Sequence, residues 1–194
     1  MKSMAAAIEF GTSKIVTLVG EGNGSGPAQL LGFGVVPYDG YSDGHWNASD
    51  EEVEQAIMKS VREAELSSGR EIKEIYVGVP GDFIHLEQNE VVLDLESERR
   101  ITPEDVDDVM NLALDYKNQR EGVIIHRSPA WFTVDDRRTM EPAGLKGQVI
   151  RCMASFVVAD PTFLEDMQAR MEQQDIHISG YLSPALGEAL LLVP

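Results

Sequence analysis

Cysteine is nearly absent from this chain: Cys152 is the one thiol in 194 residues. That count excludes a disulfide framework and a cysteine metal cage. Cys152 lies in Val149-Ile150-Arg151-Cys152-Met153, a strand-like run, and is expected to be a buried, inert thiol. Positive charge is scarce too, with 16 Lys and Arg against 33 Asp and Glu and a net charge of −17. Nucleic acid needs a basic face and anionic lipid attracts basic segments, so neither fits as a direct partner. Long apolar runs are missing: Leu190-Leu191-Leu192-Val193 falls far short of the roughly 20 residues that cross a bilayer. No secretory leader is read at the start, where Met1-Lys2-Ser3-Met4 runs into a short apolar stretch that continues to Glu9. A cytoplasmic protein is the expectation, and 43% apolar residues suffice for the core of one or two domains.

Catalytic constellations are thin as well. His45, His85, His126 and His177 stand at no ligand spacing, and three of them fall in expected strands. Ser128-Pro129 and Ser183-Pro184 read as turn and cap residues, and no Gly-x-Ser-x-Gly elbow is present to expose a nucleophile. The acidic groups Asp50-Glu51-Glu52 and Glu104-Asp105 with Asp107-Asp108 occupy first turns of expected helices, where the helix dipole favours them. Trp46 and Trp131 are isolated aromatics, Trp131 with Phe132 reading as a strand face or an exposed contact. No acid/base pair or covalent nucleophile emerges, so the chain does not read as an enzyme.

What is present is a regular alternation of strand and helix signals. Strands are expected at about 5–9, 14–20 and 29–37, then a loop with Asp39-Gly40 and Asp43-Gly44. A helix follows with Ser49 as N-cap, Glu52 as its capping-box partner, an apolar face of Val53, Ala56, Ile57, Val61 and Ala64, and Gly69 at its end. Glu74–Val79 is the next strand. A second rhythm starts at an extended run from Phe83 to Leu95, followed by Thr102-Pro103, an N-cap with proline at the first helical position. Val106, Val109, Met110, Ala113 and Leu114 share that helix's apolar face. Two strand-like runs, Val123–Val134 and Gln148–Ala159, are joined by a polar loop with Pro142, Gly144 and Gly147. Asp160-Pro161 opens a helix to about 173 with Leu164, Met167 and Met171 inward, Ile176–Leu182 is a strand, and Ser183-Pro184 begins a last helix.

The most informative stretch is Glu9-Phe10-Gly11-Thr12-Ser13-Lys14, between two short apolar runs. It reads as a tight hairpin whose glycine lets backbone N–H groups approach an anion, a phosphate-binding concavity. Lys14 adds positive charge, and Glu9 is placed to hold a metal ion through water. A plain structural hairpin has the same pattern. No Gly-Lys-Ser/Thr run follows a glycine loop, so this is not a Walker loop. The second glycine cluster, Gly22-Asn23-Gly24-Ser25-Gly26-Pro27, precedes a strand and is expected to be a flexible turn.

Taken together, the chain resembles the N-terminal half of the FtsA family, the actin-like cell-division proteins of bacteria, over essentially its whole length. The resemblance rests on Ile8-Glu9-Phe10-Gly11-Thr12-Ser13-Lys14, Val19-Gly20-Glu21, Leu31-Gly32-Phe33-Gly34, Ala64-Glu65-Leu66 and Tyr76-Val77-Gly78-Val79-Pro80-Gly81. In the middle it rests on Asn89-Glu90, Ile101-Thr102-Pro103-Glu104-Asp105-Val106 and Gly144-Leu145-Lys146-Gly147, in a strand-helix-strand-strand order. It implies an α/β, actin-like (ribonuclease-H-like) subdomain over 1–81 and 174–194, holding the first phosphate loop. An inserted α+β subdomain of the family's 1C type, a protein-contact surface, is implied over 82–173. Members tether the tubulin-like FtsZ ring to the cytoplasmic face of the inner membrane at the division site and recruit later division proteins. They polymerise and bind Mg-ATP between lobes. By carry-over, Gly11, Thr12, Ser13 and Lys14 approach the phosphates, and Glu9, an aspartate in many relatives, lies near the metal.

The second phosphate loop, the adenosine loop, the FtsZ-contacting region and the membrane helix of such proteins would all lie beyond Pro194. The expectation is therefore an interaction protein that hydrolyses no ATP, binds little or no nucleotide by itself and makes no direct membrane contact. Self-association through 82–173 is possible on this reading. Two alternatives share the superfold: an ATP-dependent enzyme such as a small-molecule kinase, and the actin-like protein of type IV pilus assembly.

Overall fold

Apolar alternation and a two-sided glycine turn make the N-terminal residues a meander. In the computed structural model, which describes residues 3–23, 28–115 and 122–192, β1 (Ser3–Phe10), β2 (Lys14–Gly22) and β3 (Gln29–Pro37) pair antiparallel in sequence order. Residues 24–27 of the second glycine cluster lie outside the described residues. A two-residue hairpin, β4 (Tyr41–Ser42) with β5 (His45–Trp46), fills the loop expected there. Helix α1 (Asp50–Ser68) forms as its signals dictate. Ser49 and Glu52 make the reciprocal capping box, and Gly69 closes the helix in the left-handed conformation at φ 66°. Strand β6 (Glu74–Gly78) then pairs parallel with β1.

The chain divides into two compact units, 1–84 with 159–194, and 85–158. In the first, α3 (Pro161–Glu172), β11 (His177–Leu182) and α4 (Pro184–Leu192) complete a five-stranded sheet of order β11-β6-β1-β2-β3. The sequence reading carried the insertion to 173, whereas this division puts α3 in the first unit. There Phe163, Leu164, Met167 and Met171 are buried. The interior face of α1 buries Val53, Ala56, Ile57, Val61 and Ala64 against β2 and β3. Each buried Val or Ile side chain contributes about 1.5–3 kcal/mol, and each Ala methyl about 0.8 kcal/mol. One polar contact is sealed in: Ser60 Oγ donates to the Ile57 carbonyl at 2.9 Å, so Thr17 Oγ1 donates to Ser60 Oγ at 2.9 Å. Both residues are fully buried. The sheet's edge at β3 is closed by the same helix. Ser67 Oγ accepts from the Phe33 N–H at 2.8 Å and Glu63 Oε2 from the Val35 N–H at 3.3 Å, taking up donors that would otherwise invite a foreign strand.

The second unit contains β7 (Ile84–Arg100), α2 (Pro103–Asp115), β8 (Val123–Val134), β9 (Arg137–Thr139) and β10 (Lys146–Ala159). Its sheet runs β7-β10-β8-β9, and its core joins Leu95, Ile101, Val109, Ala113, Phe132, Ile150, Cys152 and Phe156. Cys152 is fully buried and its thiol is pushed up to about 11 by that burial. β7 runs five residues beyond the expected Leu95, turning at Glu96 with φ 65°. β9 pairs with β8 across Asp135 and Asp136, both left-handed, inside the stretch expected to be a polar loop.

Asp105 lies in the first turn of α2, as expected for the helix dipole, and there it also makes an ion pair that the sequence does not signal. Asp105 takes a bidentate fork from Arg99 at 2.6 and 2.7 Å, the Thr102 N–H at 2.8 Å and the Thr102 hydroxyl at 2.8 Å. The Arg99 guanidinium and then the Thr102 N–H hold this carboxyl well below the usual range. A depressed folded-state value contributes stability that is present above the unfolded carboxylate value near 4 and lost as pH falls below it. Asp105→Asn is therefore expected to lower the melting temperature at pH 7, with the gap to the parent closing on acidification below about pH 4. Thermal melts from neutral to acid pH check this; a gap independent of pH would contradict it.

Candidate functional site

Three parallel strands, β11, β6 and β1, end on the same edge of the first unit's sheet, and in open α/β sheets ligands bind outside those carboxyl ends. The Gly11–Ser13 turn follows β1 there. Val79, after β6, donates its N–H to Leu182 at the end of β11 at 2.8 Å, and α4 starts two residues beyond.

All five residues singled out from the sequence converge at this turn. Glu9 sits in register with Val16 on one side and Gly78 on the other, with its side chain exposed. Thr12, Ser13 and Lys14 are exposed and Gly11 is half-buried. The carbonyls of the turn are all engaged: Lys14 accepts from the Gly11 N–H at 2.9 Å, Thr12 from the Gly40 N–H at 3.2 Å and Ser13 from the Tyr38 N–H at 3.2 Å. Gly11 accepts from the Tyr38 hydroxyl at 2.9 Å. Gly11 thus spends its own amide inside the turn. The amides of Thr12 and Ser13 have no partner among the described residues, and with the exposed Lys14 they are the turn's unspent donors.

Two residues that build the turn gave no chemical signal in the sequence. Tyr38 holds it from below through its hydroxyl, which burial, with Tyr41 a smaller cause, pushes far above its ordinary pKa and keeps protonated as a donor. Gly40 packs against it so closely that a Cβ there would lie 2.5 Å from the Thr12 carbonyl oxygen. Only the Asp39-Gly40 loop signature hinted at either. Beside the turn the field is negative: Tyr41 is raised by burial, then by the Asp82 and Glu9 carboxylates. That field suits a cation at Glu9 and a metal-neutralised phosphate better than a bare one. No group of three or more His, Cys, Asp or Glu side chains forms a direct metal cage among the described residues. The donor set therefore fits one side of a metal–phosphate group.

Beneath lies an aromatic floor. Phe10, directly before Gly11, packs edge-on against Trp46 and Phe163, and Trp46 and Phe163 in turn contact Phe83. A hollow of about 730 Å³ opens over this floor, rimmed by Asp50, Asp160 and Asp166. Those carboxylates are already engaged: Arg170 pairs with Asp50 at 2.9 Å and Asp166 at 2.8 Å, and Asp160 caps α3 through the Thr162 N–H. Among the described residues no helix is long and apolar enough to cross a membrane.

A family model described as the SHS2 domain inserted in FTSA matches residues 81–158, close to the second unit. The chain is similar to cell division protein FtsA of Buchnera aphidicola (subsp. Schizaphis graminum), 25% identical over 189 residues, covering 97% of this chain and 45% of that protein. It is similar to FtsA of Escherichia coli K12, 29% identical over 147 residues, covering 75% and 34% respectively. For FtsA of Enterococcus faecalis the figures are 28% over 178 residues, 91% and 40%. The chain thus spans less than half the length of these curated relatives. Among solved structures, a chain of the PilM-PilN type IV pilus biogenesis complex superposes with a TM-score of 0.62 at 14% identity, covering 97% of this chain and 49% of that one. The shared architecture is the actin-like fold with an inserted subdomain.

Proposed function

This chain matches the N-terminal part of FtsA, and from that premise we propose that it is the first lobe of a cell-division adaptor of that kind. The carrying observation is the coincidence of the matched insertion, 81–158, with the compact unit 85–158. On this reading the inserted unit is the contact module for other division proteins. The whole protein links the FtsZ ring to the cytoplasmic face of the inner membrane, and acts as adaptor rather than enzyme.

The Thr12 and Ser13 amides and the Lys14 ammonium would hold the phosphate side of Mg-ATP, and Glu9 would stand near its metal through water. Bound Mg-ATP supplies concentrated negative charge that the metal partly neutralises. This chain offers one face of that site, and its own donors are few. At a dissociation constant of about 1 mM, about 5 mM Mg-ATP would stabilise the chain by roughly 1 kcal/mol. No melting shift is expected at that concentration; a reproducible rise that Lys14→Ala abolishes would show the turn binding nucleotide unaided.

The adaptor reading is tested by fusing the chain to a fluorescent protein in dividing E. coli. A mid-cell band is expected through the inserted unit's contacts with division proteins other than FtsZ, and uniform fluorescence would overturn the contact-module reading. A second reading, an actin-like pilus-assembly protein, draws on the likeness to the PilM-PilN chain. It predicts fluorescence at pilus assembly sites and none at mid-cell.

A further inference from the structure

Strand alternation sorts the second unit's sheet into two faces. Ile150, Cys152, Ala154 and Phe156 on β10, and Ile124, Phe132 and Val134 on β8, pack into the core with α2. Arg151 and Met153 on β10, with Arg127 and Trp131 on β8, therefore face the other way. β9 adds Arg138, whose guanidinium carbon lies 4.5 Å from the centre of the Trp131 ring. No helix of this unit covers that face among the described residues.

The charge on it runs against the rest of the chain. Acids outnumber bases 33 to 16, yet Arg127, Arg138 and Arg151 have no carboxylate within ion-pair distance among the described residues. Arg99 shows the contrast, forked onto Asp105, while Arg100 donates to the Gly144 carbonyl and Arg137, on β9, also has no carboxylate within ion-pair distance among the described residues. Along β7, Val91, Leu93 and Leu95 pack toward α2, which turns Glu90 and Asp94 to the open face at its far side. The face is thus polarised, carboxylates along β7 and guanidinium groups across β10, β8 and β9. A polyanion such as nucleic acid or an anionic bilayer needs a uniformly basic surface, and this is not one. A short segment with its own polarity is the better complement.

We propose that this face docks an acidic, extended segment of a partner protein. Its carboxylates pair with Arg127, Arg138 and Arg151, and an apolar side chain lies on Trp131 and Met153. Arginine offers carboxylates a two-pronged, charge-assisted contact, and a tryptophan already stacked by a guanidinium is a preordered platform. Arg and Trp are also the residues in which binding energy concentrates at interfaces. The proposal deepens the reading of the inserted unit as a contact module and rests on it.

The probe is a fluorescein-labelled peptide of about ten residues alternating Glu and Leu, titrated with the full chain by anisotropy; the controls are a Lys–Leu peptide, single-stranded oligo-dT and phosphatidylglycerol vesicles. Saturable binding of the Glu–Leu peptide alone is expected, weakened about tenfold by Arg151→Glu, by Arg127→Glu and by about 0.5 M salt. These exposed substitutions should leave the circular dichroism melt unchanged; Arg138→Ala, which removes the stacked guanidinium without reversing charge, serves as a milder second variant. Absence of binding up to about 1 mM peptide would overturn the proposal, as would affinity indifferent to the substitutions or equal affinity for oligo-dT or vesicles. Sedimentation showing a dimer abolished by Arg151→Glu would overturn it in favour of a second copy. A mid-cell band with no peptide binding removes the docking face only, whereas loss of the band in the unsubstituted chain removes the contact-module reading beneath it.

Discussion

Gly34→Ala is expected to destabilise the first unit by about 3 kcal/mol, near the upper end for forcing a methyl into a packed interior. A Cβ at Gly34 would lie 2.0 Å from the Ser60 carbonyl oxygen and 2.9 Å from the Glu63 Cβ. The nearest obstacle is helix backbone, so no rotamer change relieves it and α1 has to lift from β3. That movement breaks more than the contact itself. It pulls Ser60 from the buried Thr17 hydroxyl and withdraws Glu63 and Ser67 from the edge amides of Val35 and Phe33. Unguarded β3 donors then invite intermolecular pairing, so aggregation on heating should accompany the loss. The melting temperature should drop by about 10 °C for a chain of this size. Gly187→Ala is the control: a Cβ there meets nothing within 4 Å, and it should leave the melt unchanged or slightly raised. A Gly34→Ala melt within about a degree of the parent would show that α1 is not held so close.

The same helix illustrates what sequence discloses. Its cap, its apolar face and its terminating glycine are local signals, each satisfied within a few residues, and α1 begins and ends where they say. The tight approach of α1 to Gly34 involves residues 26 apart and has no local pattern. Asp105 shows the same divide. Its place in a first turn is legible, while the Arg99 fork that buries it depends on where β7 ends, and β7 runs past the expected Leu95. At the candidate site, the Glu9–Lys14 hairpin was visible because glycine and alternating strands mark it. Tyr38 and Gly40, which hold that hairpin in shape, come from a loop whose path only packing decides. The aromatic floor stayed hidden for a similar reason: Phe10, Trp46, Phe83 and Phe163 are spread over more than 150 positions and meet only once the sheet is assembled.

That floor carries the other large expected effect. Phe163 is 3% exposed, with ring centres 4.8 Å from Phe83, 5.9 Å from Trp46 and 6.1 Å from Phe10. Phe163→Ala removes a ring that three others touch, and is expected to cost about 3–5 kcal/mol through lost transfer energy and the cavity left behind. Phe163→Leu should recover much of that loss because it refills most of the volume. The consequence reaches the candidate site, since Phe10 rests on this ring and is followed directly by Gly11. Of the chain's two tryptophans only Trp46 touches the floor, so a Trp131→Phe background isolates its emission. A red shift of Trp46 in the folded Phe163→Ala protein would report water entering the floor. Retained stability with unshifted emission would mean that Phe10 and Phe83 close over the gap, and that the turn above does not depend on α3.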